Sequence, residues 1–100
     1  MALKLVITPA ARLGLSWFRI YYLDYFPEGM LKANQRFEKI CRLLCERPLM
    51  GRRAGRGECR FFIVPDTPYT IIYREREEFL EILNVLDQRK STYLQDIFDT

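Results

Sequence analysis

Apolar positions along this chain change their spacing repeatedly, and each change marks an element. Residues 3–7, Leu-Lys-Leu-Val-Ile, form a short run of strand type. Thr8 then offers an N-cap oxygen, and Pro9 suits the first helical position, where a missing N–H costs nothing. From Pro9 to about Phe26 the apolar residues recur at helical steps on more than one stripe. Leu13, Trp17, Ile20 and Tyr21 make one; Leu15, Phe18, Tyr22, Tyr25 and Phe26 make another. A surface helix of a small domain needs one apolar face, so either this helix is sandwiched or one stripe awaits a partner, and a chain of 100 residues favours the partner. Pro27-Glu28-Gly29 breaks the pattern. A second helix is expected from Glu28 or Gly29 to Glu46, with Met30, Ala33, Phe37, Ile40, Cys41 and Leu44 on its apolar side and Lys32, Arg36, Lys39 and Arg42 on its polar side. Pro48 ends it by pushing Arg47 out of the helical region. The two helices read as an antiparallel hairpin.

Beyond Pro48 the pattern changes to strands. Residues 49–57, with Gly51, Gly55 and Gly57, read as a loop. Strands are expected over 58–64, over 69–74, and from 78 or 79 to 86, with turns at 65–68 and 75–77. Connections this short join antiparallel neighbours. If the first turn has four residues, Val64 pairs with Tyr69 and Arg60 stands opposite Tyr73, a guanidinium beside a phenol. A slip of one residue would flip every side chain. The last strand is apolar on both faces, which suits a central strand or one with a face kept for binding. Tyr93, Leu94, Ile97 and Phe98 give the 88–100 tail the stripe of a short helix. The sum is an α+β fold of order β-α-α-β-β-β, in which an N-terminal helical hairpin packs on a small, mainly antiparallel sheet. Its 100 residues read as one domain, 1–100.

Composition adds three constraints. A hydrophobic share of 49% belongs to a folded chain and argues against disorder. Seven Phe, six Tyr and one Trp are more rings than so small a core buries, which again implies an exposed patch and a partner. The net charge is +3, and residues 51–60 alone carry that excess, since Arg52, Arg53, Arg56 and Arg60 face only Glu58. Such a loop is either a solvated surface or a patch that binds phosphate or acidic groups. Arginine favours the patch, because a planar guanidinium grips an oxyanion with two parallel hydrogen bonds.

The chain has no histidine, and so lacks the commonest general base and metal ligand. Cys41 and Cys45 share a helix face. With Cys59 they read as small apolar residues, because neither a C-x-x-C pair nor a histidine supports zinc. No metal or cofactor is expected. An odd cysteine count suits a reducing cytosol. Residues 1–7 are too short for a secretory h-region and no apolar run reaches membrane-spanning length, so the expected place is the cytoplasm, with no membrane partner.

Several short segments carry a family likeness: Thr8-Pro9-Ala10-Ala11 at the strand-to-helix opening, Pro48…Gly51-Arg52 at the helix exit, Arg60, Tyr69…Ile72-Tyr73-Arg74, and Ile82…Val85-Leu86-Asp87-Gln88-Arg89. In this order, over about residues 3–93, they resemble the RelE/ParE family of toxins from type II toxin–antitoxin systems. The resemblance implies a growth inhibitor held silent in a hetero-oligomer by a cognate antitoxin, whose disordered tail folds over the toxin. Leu15, Trp17, Phe18, Tyr21, Tyr22 and Tyr25 on the first helix are the expected antitoxin-binding residues.

The family has two branches. RelE-like members cut mRNA on the ribosome, and ParE-like members poison DNA gyrase. Cleavage needs a proton acceptor, a proton donor and cations around a pentavalent phosphate. The candidates for that work are Arg60, Arg74, Arg89, Tyr93 and Glu58. Asp87 stands where many members carry histidine, and no lysine lies between Lys39 and Lys90. The ParE-like branch is therefore preferred, a toxin that binds rather than cuts, with Arg52, Arg53, Arg56, Arg60 and Arg89 as its target-binding residues. A RelE-like endoribonuclease and a non-toxic module that only binds its partner are the alternatives.

Overall fold

The computed structural model describes residues 2–25, 27–55, 57–65, 67 and 69–87, with the side chains of all of these except 18, 21–25, 27, 30 and 87. Strand β1, Lys4–Ile7, leads into helix α1, Pro9–Tyr25, and helix α2, Pro27–Glu46. A single 3₁₀ turn at Pro48–Met50 follows. Then come β2, Arg52–Arg53, β3, Arg60–Ile63, β4, Tyr69–Arg76, and β5, Phe79–Asp87. The sheet order is β1-β5-β4-β3-β2. Only the β1–β5 pair is parallel; the other pairs are antiparallel. The α+β fold and the helical hairpin on a mainly antiparallel sheet are as the sequence implies. The tail at 88–100, expected as a short helix, lies outside the described residues.

One expectation needs correction. The stretch read as a loop over 49–57 holds an extra strand, β2, which makes five strands rather than four among the described residues. Arg52 pairs with Phe61 and Arg53 with Arg60. A two-residue ladder of arginines has no hydrophobic period, so nothing in the pattern signals it.

Helix α1 starts as its cap predicts. The Thr8 hydroxyl accepts the Ala11 N–H at 3.4 Å. It also donates to the Ile82 carbonyl at 2.7 Å, with the Leu83 carbonyl 3.1 Å away. That second contact explains an irregularity in β5. Ile82 pairs with Tyr73 and Asn84 with Ile72, so Leu83 is an extra residue without an opposite partner, a β-bulge. Buried residues accordingly change parity, from Leu80 and Ile82 to Val85. Thr8 thus caps a helix and satisfies the bulged strand with one side chain. Helix α1 then lies close on β5. A Cβ at Gly14 would come within 2.6 Å of the Val85 carbonyl oxygen, so only glycine permits this approach.

The core sits between the helices and the sheet. Ala11 and Leu15 from α1, Ala33, Phe37, Cys41, Leu44 and Cys45 from α2, and Tyr69, Ile71, Tyr73, Leu80, Ile82 and Val85 from the sheet belong to one cluster. Phe37 meets Tyr69 edge to face, with ring centroids 5.7 Å apart. Cys41 and Cys45 are packed as small apolar side chains. Burial drives the Cys41 thiol up to about 12, with Cys45 and Glu38 adding to the effect.

Candidate binding surfaces

The arginine-rich segment is held by a buried glycine. Gly51 follows the 3₁₀ turn and is itself buried. Its N–H donates to the Tyr73 hydroxyl at 2.8 Å, and that hydroxyl donates to the Pro48 carbonyl, also at 2.8 Å. The Gly51 carbonyl accepts from Arg60 Nη1 at 2.8 Å. A Cβ at Gly51 would collide with the Tyr73 hydroxyl and lie 2.8 Å from the Phe61 carbonyl oxygen. Tyr73 is fully buried, and burial raises its hydroxyl pKa; the Gly51 hydrogen bond and the Arg60 charge partly oppose that rise. The clamp fixes where the chain leaves α2 and lays Arg52 and Arg53 on the sheet edge.

The register divides the basic patch. Neighbours along a strand point to opposite faces. Arg53 and Arg60 are directly opposed and share the face of Tyr73, which is the helix side. Arg52 is opposed to Phe61 on the other face. There, a cavity of about 250 Å³ is lined by Met50, Gly51, Arg52, Phe61, Phe62 and Ile63. Arg52 and Arg53 are exposed, and Arg60 is half-buried. Arg56 and Arg89, the other expected target-binding residues, lie outside the described residues.

The nuclease candidates do not assemble among the described residues. Arg74 follows Tyr73 and so faces away from Arg60. Its Nε donates to Glu81 Oε1 at 2.7 Å, its partner in the β4–β5 register, and this hydrogen bond raises its pKa further. Arg60 is engaged with Gly51. Glu58 is exposed beyond β2. Tyr93, like Arg89, lies outside the described residues.

Helix α1 presents an apolar face to solvent. Leu13, Trp17 and Ile20 are spaced four and three residues apart and are 73%, 51% and 62% exposed. Leu15 is a correction to the expected antitoxin set. It is buried at 8%, because Ala11, Gly14 and Leu15 form the stripe that faces β5. The small residues Ala11 and Gly14 were the available signal, since a close approach to a sheet selects small side chains. Leu13 and Ile20 take the outward place instead. The side chains of Phe18, Tyr21, Tyr22 and Tyr25 lie outside the description. Among the described residues, no group of three or more His, Cys, Asp or Glu is placed to hold a metal ion, and no helix is long and apolar enough to cross a membrane.

A helical hairpin on a five-stranded sheet, with an outward apolar stripe on α1 and a clamped arginine edge, defines a small α+β protein. The chain belongs to the ParE toxin family of type II toxin–antitoxin systems, whose family model, for the ParE toxin of parDE, matches residues 5–92. Its fold is similar to that of a chain in the chromosomal ParDE TA system from P. aeruginosa, with a TM-score of 0.73 and 20% identity over 86% of this chain and 96% of that one. No curated protein matches the chain. Membership makes it a toxin-family chain whose partner is an antitoxin.

Proposed function

We propose that this protein arrests bacterial growth from the cytoplasm by binding DNA gyrase, and that a cognate antitoxin silences it by covering α1. The observation that carries a binding rather than a cutting toxin is the separation of Arg60 and Arg74. They point to opposite sheet faces, so they cannot converge on one phosphate, and Arg74 is already paired with Glu81. A phosphoryl-transfer site needs its cations around one phosphate. The absence of histidine removes the usual acid–base group as well. Gyrase as the target follows from the ParE-like resemblance. Arg52 and Arg53 on the sheet edge, with the half-buried Arg60 beside them, are the surface assigned to it, because guanidiniums on a rigid strand suit an acidic or phosphate-bearing target; Arg56 and Arg89, assigned with them from the sequence, lie outside the described residues. The exposed Leu13–Trp17–Ile20 stripe is the surface assigned to the antitoxin, by helix-in-groove recognition of a segment that folds on binding.

Induction of the chain alone in a bacterial host tests the proposal, with growth, DNA-damage response and mRNA integrity scored together. Arrest with a damage response and intact mRNA is expected. Arrest with cleaved mRNA overturns it in favour of a ribosome-dependent endoribonuclease, and normal growth overturns the toxic reading itself.

A further inference from the structure

Like charges directly opposite each other across a ladder destabilise it, yet β2 and β3 place Arg53 against Arg60. The Ala54 N–H donates to the Cys59 carbonyl at 2.9 Å, one step along the same ladder. By the alternation of antiparallel pairs, Arg53 and Arg60 are then a non-hydrogen-bonded pair, the kind that brings side chains closest. No carboxylate forms a salt bridge with either arginine among the described residues, where the ion pairs are Lys4–Glu78 and Arg74–Glu81. Arg60 is not free to swing away, because its Nη1 donates to the carbonyl of Gly51, a residue whose N–H is in turn anchored on the Tyr73 hydroxyl. Two guanidiniums are thus kept on one face, one of them anchored, with no salt-bridged carboxylate among the described residues.

We propose that Arg53 and Arg60 form a phosphate-binding site across the β2–β3 ladder. The inference deepens, and rests on, the reading of this edge as a target-binding surface, and it narrows that surface to one face. Arg52 belongs to the opposite face and is not part of the site. Phosphate suits the pair better than carboxylate. Its oxygens are spread over a tetrahedron and can face two separate forks at once, whereas a carboxylate offers two oxygens in one plane, which favours a single in-plane bidentate guanidinium. The Tyr73–Gly51 clamp positions the site without touching the anion. The phosphate comes either from a nucleic-acid backbone or from a small phosphate compound.

The test is a titration of the full-length chain with inorganic phosphate at constant ionic strength, read on the arginine Nε–Hε resonances. Saturable shifts confined to Arg53 and Arg60 are expected. Arg53→Ala should weaken binding at least tenfold and Arg52→Ala should leave it unchanged. Tyr73→Phe should weaken it severalfold while the backbone spectrum stays folded. Linear, unsaturable shifts, equal shifts at Arg52, or an equal response to acetate overturn the proposal. A short DNA duplex separates the sources. Shifts of the same resonances at a lower phosphate concentration identify a backbone phosphate, and shifts with inorganic phosphate alone identify a small ligand. The gyrase reading fails separately. If Arg53→Ala abolishes phosphate binding and leaves the DNA-damage response intact, the site stands and its assignment to the gyrase target falls.

Discussion

Tyr73 and Gly51 are locked by a hydrogen bond of 2.8 Å between a fully buried phenol and a backbone N–H that has left its helix. The same hydroxyl closes the Pro48 carbonyl, so one oxygen settles two backbone groups at the exit of α2. Tyr73→Phe leaves the Gly51 N–H buried without this acceptor, at a cost of about 1–3 kcal/mol by urea unfolding. Gly51→Ala should cost more, because its methyl collides with the hydroxyl and with the Phe61 carbonyl. A Tyr73→Phe protein as stable as wild type would show the bond to contribute nothing net.

Stability should fall at alkaline pH. Burial raises the Cys41 thiol to about 12 from 9.0, and it also raises Cys45 and Tyr73. A raised pKa in the folded state means that the folded chain keeps a proton the unfolded chain releases. The stabilisation is complete below pH 9 and is lost as pH rises from 9 toward 12. The slope for one such group is about 1.4 kcal/mol per pH unit. Cys41→Ala should flatten the decline of unfolding free energy over this window, measured by circular dichroism with denaturant.

Much of this architecture is legible in the sequence because single residues enforce it. Thr8-Pro9 favours a helix start, and Pro48, which has no N–H to donate, stops α2 and opens the 3₁₀ turn. The short turn at 65–68 sets the Arg60–Tyr73 register, which the structure has as expected. Other features depend on tertiary context. β2 is two arginines long and exists because Gly51 is clamped by a tyrosine 22 residues away. The bulge at Leu83 is stabilised by Thr8, from the far end of the chain, and no local pattern encodes it. Leu15 looks like a partner-facing residue on a helical wheel until Gly14 shows which side approaches β5. The arginines were legible as a charge cluster, but their division between two faces needed the register.

The close approach of α1 to β5 separates two glycines. Gly14→Ala places a methyl 2.6 Å from the Val85 carbonyl, and the helix must shift to relieve it. A loss of about 1–3 kcal/mol is expected, as for other overpacked sites. Gly57→Ala meets only the Cys59 N at 3.9 Å and should change stability by less than about 0.5 kcal/mol. Thermal denaturation of the two variants side by side checks the ranking, and equal melting temperatures would contradict it.

Burial on α1 separates fold from recognition one turn apart. Leu15→Ala removes a core side chain and should cost about 2–5 kcal/mol of stability. Leu13→Asp and Ile20→Asp alter exposed positions and should leave the unfolding midpoint nearly unchanged. The antitoxin responds in the opposite sense if the outward stripe is its seat. Trp17→Ala should then cost about 2 kcal/mol of binding, since a large aromatic at the centre of an apolar patch carries more energy than its neighbours. Calorimetric titration of each folded variant with the cognate antitoxin reads this directly. Wild-type affinity in all three outward variants would move the antitoxin off this face of α1, and the unchanged melting curves would exclude misfolding as the reason.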